Sequence, residues 1–444
     1  MLFRSKSIVI IGSGISGLCM GALLVKQGFD VSIYEKSSFV GGRTKSSVYK
    51  NHILDNGFHI MPFYKTSAVY KLLEEIGIVN DLKLAKVNDI AFYENKKYHK
   101  YPKGITDILK FSLLPLSGRI SLLKVMLPMA FSSVQKSEKY DNTSMMNVIG
   151  RLDRKTRAFF DAVCILAFAD SPEHVALGEF MRMIIRANPF KGGTSELAYP
   201  AEGGYDTICK LVSNYITEKG GKIHLGQAVK QVKVQNNKVT GVILQDGNLV
   251  ESDCVIVTHP AYLAIRELFE PNILDKSLQS MAKKLEKTTS VIEAHFCCSD
   301  KLDSRQLVFP VGDYMTKGIF FVTNIASSVS PKGEYLIMAG APVPSEDTEN
   351  PQKIKELTQK MKEEISEIYP NFTKSLIWER SMAWKLVESV VKEPGLVWKQ
   401  KFPHETNISG LFFVGDSTIS YGIGTDSAAQ SSFLCYPKIL KHLQ

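Results

Sequence analysis

Long apolar runs are missing from this chain. No stretch is unbroken enough to span a bilayer, and the first candidate strand begins within a few residues of the N-terminus, without a cleavable apolar segment before it. The expectation is a protein that neither spans a membrane nor is exported. Seven cysteines, an odd number with no C-x-x-C pair, are scattered singly apart from Cys297-Cys298. This argues against a disulfide framework and a zinc site, so no metal is expected and the reading is cytoplasmic. There is no P-loop, no G-x-S-x-G, no spaced metal-ligand cluster and no internal repeat. The net charge of +9 comes from dispersed lysines, not from a basic block interleaved with aromatics, and a nucleic-acid partner is excluded on that ground.

What is present is concentrated in Ser7 to Arg43. Ile8, Val9, Ile10 and Ile11 form a β-branched run that predicts a buried parallel strand, and Gly12, Gly14 and Gly17 follow in G-x-G-x-x-G spacing. The first glycine permits a tight turn, the second lets a pyrophosphate approach bare backbone, and the third lets the next helix pack closely on the strand. That helix is predicted to run to about Gln27, with Gly28 as its left-handed stop, and Val31 to Tyr34 form the next strand. Glu35 then stands where a carboxylate accepts hydrogen bonds from a ribose diol and repels a 2′-phosphate. The ligand is an unphosphorylated adenine dinucleotide. Ser13, Ile15 and Ser16 in the turn, and Lys36 beside the acid, complete this part of the expected contact set.

Gly41-Gly42-Arg43 resembles the GG-Arg extension of the superfamily that contains flavin amine oxidases, protoporphyrinogen oxidases and phytoene desaturases. The resemblance implies FAD, with Gly42 at the pyrophosphate and Arg43 as a charged clamp on it. Leu411 to Asp416, followed by Gly422-Ile423-Gly424, looks like the C-terminal flavin motif of that superfamily. It implies that Gly415, Asp416, Gly424 and Thr425 meet the cofactor, with Asp416 at the ribityl or pyrophosphate region. Tyr199 to Gly204, then Gly226 to Val229 and Gly241-Val242, resemble the central segment, which implies Val229 at adenine. Asp55-Asn56-Gly57-Phe58-His59 matches a turn that the superfamily places beside the flavin, which adds Asn56 and Gly57.

The implied fold is α/β. A Rossmann-like FAD-binding domain, with a parallel sheet, helices and a β-meander, covers residues 1–100, 195–286 and 400–444. An inserted α+β substrate domain covers 101–194 and 287–399. Within the superfamily, GDSTISYGIGTDSAA and the Asp-x-Gly-x-His turn are most similar to the phytoene desaturase-like branch. This implies desaturation, saturation or isomerisation of an apolar isoprenoid. Amine, amino-acid or protoporphyrinogen oxidation is the alternative, and a non-catalytic escort protein of the same fold is a second. No second G-x-G-x-x-G supports a site for NADPH, so electrons are expected to pass to oxygen, a quinone or another acceptor.

For proton handling the candidates are His59 and Tyr421, the first favoured because imidazole titrates near neutrality, and Lys317 is a conceivable flavin-facing lysine. The substrate cavity is expected to be apolar and to draw on Phe159, Phe160, Phe168, Phe180, Phe320 and Phe321. Residues 106–136 are amphipathic and basic. They read either as a core helix pair kinked at Pro115 and Pro128, the preferred reading, or as a segment lying in a membrane interface. Two local expectations complete the picture: a single short strand over Val48 to Leu54, and a hairpin over Ala91 to Tyr101 that closes the first domain.

Overall fold

The structure is a computed structural model that describes residues 6–188, 190 and 192–444. Its organising strand is β1 (Ser7–Ile11), whose branched side chains are buried on both faces. The helix α1 (Ile15–Lys26) follows it, and then β2 (Asp30–Glu35), which lies parallel to β1. Gly12 makes the turn with φ 101°, and a Cβ on Gly17 would stand 2.1 Å from the Gly12 carbonyl oxygen, so only glycine lets helix and strand approach this closely. Beyond β1 the sheet continues through Cys254–Val257 to Leu411–Phe413, and beyond β2 to Lys222–Leu225, giving five parallel strands. One side of α1 meets the Gly424–Leu443 helix and another meets Thr207–Glu218. Its whole length from Ile15 to Val25 is buried, which explains why its sequence is apolar all round.

The meander is Val229–Gln235, Lys238–Leu244 and Leu249–Glu251, with Asn236 and Asn237 both at positive φ in its first turn. A mixed seven-stranded sheet forms the second layer, with Val291–Cys298 between Leu376–Trp384 and Tyr335–Pro342. Pro351–Ile368 packs on Val291–Cys298 and Leu376–Trp384, Arg154–Phe168 reaches the sheet through Phe159 on Phe92, and Leu116–Ala130 packs on Arg154–Phe168 and Leu177–Ala187.

Three sequence expectations are corrected here. Val48 to Leu54 is not one strand but parts of two, β3 (Ser46–Tyr49) and β4 (His52–Asp55), because Lys50 and Asn51 turn the chain with φ 46° and 62°. The hairpin Ile90–Glu94 with Lys97–Lys100 does form, yet it joins the second sheet through parallel pairing of Ile90–Tyr93 with Leu307–Pro310. It therefore does not close the first domain. The segment 106–136 is only partly core. Pro115 caps the Leu116–Ala130 helix and Pro128 lies near its end; Gly118, Leu122 and Met129 face inward, while Leu116, Ile120 and Phe131 remain exposed.

Candidate active site

A cavity of about 560 Å³ runs from the glycine turn, across the end of the parallel sheet, to the second sheet. At the turn, Gly14 precedes α1 with no side chain capping the helix, and a Cβ on Gly14 would meet nothing within 4 Å. An uncapped helix start that opens on a cavity is an anion site, since unpaired N–H groups and the helix dipole both point into it. Gly12, Gly14, Ile15, Ser16, Lys36 and Gly42 all line this end. Glu35 closes it, and its carboxylate is already busy: Oε2 accepts from the Ser13 N–H at 2.8 Å and hydroxyl at 3.0 Å, and Oε1 from the Ser37 N–H at 2.8 Å. Each oxygen keeps a further lone pair for a ribose hydroxyl. Val229 lines the wall beyond it.

Arg43 and Asp416 form the middle. The guanidinium grips Asp416 through two bonds, at 2.7 and 3.1 Å, and also donates to the Val387 carbonyl and the Ser389 hydroxyl. The Ser389 N–H and hydroxyl complete four donations to Asp416. Burial pushes this carboxyl upward, but the guanidinium and these hydrogen bonds overcome it and hold Asp416 well below the usual carboxylate range. Arg43 is thus pinned by protein while its side chain stays 38% exposed, and it lines the cavity. Gly424 and Thr425 bring the start of the last helix to the same space, with the Gly424 N–H donating to Glu388 at 2.8 Å. Behind them Lys401 is fully buried and donates to the Asp416 carbonyl; burial, then the neighbouring Lys392, lower it to about 7.

The far end is apolar, with Ile60, Ile165, Leu166, Phe168, Phe309 and Met338 in its wall. Of the expected phenylalanines only Phe168 lines it. Phe159, Phe160, Phe180 and Phe320 are buried in the main core and Phe321 in the core beneath the second sheet, because each points to the packed side of its element.

Several expected residues stand behind the lining instead of in it. Ser13 ties the turn to Glu35, the Gly57 N–H donates to Glu293 at 3.0 Å, and the Gly415 N–H donates to the Ser431 hydroxyl. The Asn56 carbonyl accepts from His59. His59 lines the cavity, but its Nε2 lies 3.1 Å from two carbonyls, those of Arg43 and Asn56, so Nε2 carries the hydrogen and only Nδ1 is left for other work. Tyr421 does not line the cavity; its ring packs edge-on against Trp398. Lys317 does line it.

The residue that sequence reasoning missed is Glu293. It lies in the apolar strand Val291–Cys298, lines the cavity and is 2% exposed. Its Oε1 accepts from the Gly57 N–H and the Trp384 indole, whereas Oε2 has no partner. Burial, only partly offset by those two donors, pushes its carboxyl up to about 8. A lone acid in VIEAHFCC was the available signal. The Val387–Ser389 loop offered none, since nothing local marks its contacts with Arg43 and Asp416.

The fold and this cavity are those of a dinucleotide-binding protein, and the far end of the cavity is apolar. The chain belongs to the family described as flavin-containing amine oxidoreductases, whose model matches residues 15–434. It is similar to a 4,4′-diapophytoene desaturase (4,4′-diapolycopene-forming) of a Methylomonas species, 24% identical over 402 residues that cover 78% of this chain and 75% of that protein. Among solved structures it resembles an oxidoreductase from Methanosarcina mazei, with TM-score 0.79 and 21% identity over 97% of this chain and all of the other. A putrescine oxidase shares the fold at TM-score 0.75 and 15% identity, covering 98% and 99% of the two chains. The protein is an FAD-dependent oxidoreductase. The residues fit that cofactor: an uncapped helix start over open space, an acid with a lone pair left on each oxygen and the start of a second helix all line one cavity.

Proposed function

We propose that this enzyme introduces, removes or shifts a carbon–carbon double bond in an apolar isoprenoid of carotenoid type. The observation that carries this reading is the hydrocarbon wall at the far end of the cavity, and the desaturase relative supports it. Gly12, Gly14, Ile15, Ser16 and Gly42 would hold the pyrophosphate, Glu35 and Lys36 the ribose side, Val229 the adenine, and Arg43 with Asp416, Gly424 and Thr425 the flavin side. FAD, when bound, would supply the two-electron acceptor for desaturation, with oxygen, a quinone or another diffusible oxidant taking the electrons onward; for saturation the reduced flavin would be the donor and a diffusible reductant would have to recharge it.

Desaturation also requires a proton to leave the neighbouring carbon, and saturation requires one to arrive. Glu293 suits that work better than His59 or Tyr421. A carboxyl that titrates near pH 8 and has one oxygen without a partner can release or accept a proton near neutrality. His59 has one nitrogen committed to two carbonyls, and Tyr421 stands away from the cavity.

A greasy substrate also needs a route out of lipid. Leu116, Ile120 and Phe131 form an exposed apolar stripe on one helix, Phe190 stacks on Phe131, and Lys103, Lys110 and Lys124 are exposed around it. The helix beneath, Arg154–Phe168, carries Ile165 to Phe168 into the cavity wall. Such a stripe would seat the protein on the interface of an anionic membrane without crossing it. Among the described residues no helix is long and apolar enough to cross one.

The decisive experiment is anaerobic reduction of the bound flavin by matched isoprenoids, porphyrinogens and amines, followed by bleaching of the yellow colour. Bleaching of the oxidised flavin by an isoprenoid, or return of the yellow colour when an isoprenoid is added to flavin reduced beforehand, with amines and porphyrinogens inert, supports the reading. Bleaching by amines or porphyrinogens alone overturns it.

A further inference from the structure

The strand that carries Glu293 ends on a second group of side chains, far from the expected flavin contacts. The Cys297 Sγ lies 3.3 Å from the His52 Nε2 and 3.2 Å from the Glu334 Oε2, and the His52 Nε2 and Glu334 Oε2 are 3.1 Å apart. Three different ligand atoms therefore face one point. His52 and Cys297 are buried, while the Glu334 side chain is 34% exposed and leaves a way in from solvent.

The histidine is set up in a particular way. Its Nδ1 lies 2.7 Å from the Lys50 carbonyl, an acceptor only, so Nδ1 bears the hydrogen and a neutral ring turns the Nε2 lone pair toward Cys297 and Glu334. A backbone carbonyl on the outer nitrogen is the arrangement that orients histidines on metals. With the ring neutral, the thiol hydrogen is the only proton among the three atoms and one acceptor pair faces another without it, whereas a second ring proton on Nε2 would bridge to Glu334. A cation at the centre removes that conflict.

The spacing also fits. Tetrahedral zinc with ordinary bond lengths to sulfur, nitrogen and oxygen separates those atoms by about 3.6 Å (S to N), 3.5 Å (S to O) and 3.3 Å (N to O). Each observed separation is shorter by about 0.2–0.3 Å, a gap that small side-chain rotations close. A thiolate, an imidazole and a carboxylate together suit a borderline-soft divalent ion better than calcium or magnesium.

We propose that His52, Cys297 and Glu334 bind a single zinc ion, with three protein ligands and a fourth position open to solvent. On binding, the zinc–sulfur bond replaces the sulfur–hydrogen bond and the proton leaves to water. Without the ion that thiol keeps its proton, because burial and the Glu334 carboxylate push it up to about 12. The ion would fasten β4, whose end leads into the Asp55 to Gly57 turn behind the cavity wall, to Val291–Cys298, the strand next to one edge of the second sheet. No metal is expected from the sequence because the ligands are far apart along the chain, in β4, in Val291–Cys298 and just before Tyr335–Pro342.

The test uses the full-length holoprotein, with FAD content measured throughout. After chelator treatment it is titrated with Co²⁺, followed by visible d–d bands beyond the flavin absorption, and then with Zn²⁺ by calorimetry and elemental analysis. One Zn²⁺ per chain, displacing a tetrahedral Co²⁺ spectrum, is expected. Cys297→Ser and Glu334→Gln should each weaken Zn²⁺ at least tenfold, and Glu334→Gln, at a partly exposed site, should keep its FAD. Substoichiometric Zn²⁺, or an affinity unchanged in Glu334→Gln that has retained its flavin, overturns the proposal. The three side chains are then a hydrogen-bonded imidazolium, carboxylate and thiol, and nothing more.

Discussion

Asp416 and Glu293 line one cavity and are almost equally buried, at 5% and 2% exposure, yet they hold their protons in opposite ways. Asp416 receives four hydrogen bonds, two of them from a guanidinium, and stays ionised. Glu293 receives two, both on one oxygen and both from neutral donors, and stays protonated up to about pH 8. Burial alone does not decide the charge of a carboxyl; the donors that accompany it do. The Asp416 side of the cavity is thereby fixed in charge and geometry, while Glu293 keeps an oxygen without a partner.

The comparison breaks most heavily at Asp416. Asp416→Asn leaves Arg43 facing an amide, and because that side chain is partly exposed the loss should fall near the low end for broken buried pairs, about 3 kcal/mol. Chemical denaturation, together with a fall in bound FAD, would register it. A folded variant with normal stability and full FAD would show that the ion pair is dispensable.

Glu35→Ala comes next. Removal of a charged acceptor for the ribose should weaken FAD by about 1.5–3 kcal/mol. The structure adds that the apoprotein should lose stability too, since Ser13 and Ser37 lose their shared acceptor. An unchanged FAD affinity would argue against the ribose assignment.

Glu293→Gln sharpens the contrast by removing the titrating member. The folded-state carboxyl sits above its unfolded value, so between the ordinary carboxyl range and about pH 8 the unfolded chain has released this proton while the folded protein has not. Stability from this group is therefore complete below that window and falls as pH rises through it, by up to about 1.4 kcal/mol per pH unit. Asp416 works in the other direction, with stability present above the ordinary carboxyl range and lost as pH falls. In Glu293→Gln the decline between the ordinary carboxyl range and about pH 8 should flatten, and flavin reduction by the true substrate should slow more than tenfold, about 1.4 kcal/mol of barrier. An unaltered pH profile with full activity would remove Glu293 from both roles.

His59→Gln should have the smallest effect. With FAD content first shown to be normal, reduction should slow less than tenfold, because glutamine can still donate to one of the two carbonyls. A larger loss, with a shifted pH profile, would return the proton-handling role to His59.

Local segments were the readable ones. Residues 7–43 form strand, turn, helix and strand from their own glycines, branched residues and acid, so their order and limits could be read before any tertiary contact was known. Readability stopped where contacts reach across the chain. Val387 and Ser389 meet Arg43 and Asp416 from a loop with no motif, and Glu293 becomes special only through the apolar surroundings that other segments supply. The strand Leu376–Trp384 went unseen because LIWERSMAW alternates poorly, its burial being set by partners on one side. The phenylalanines pointed correctly to apolar interiors, but composition does not say which interior is solid and which is hollow.

The parallel pairing of Ile90–Tyr93 with Leu307–Pro310 sets a timetable for the nascent chain. At ordinary elongation rates the early hairpin emerges roughly 10–40 s before its partner strand exists, and for that interval one edge has no neighbour to bond. The parallel sheet waits longer still, for Leu411–Phe413 and the helix that follows to cover α1. Both layers therefore close late, the second sheet only once Leu376–Trp384 has emerged and the parallel sheet last of all, after Leu411–Phe413.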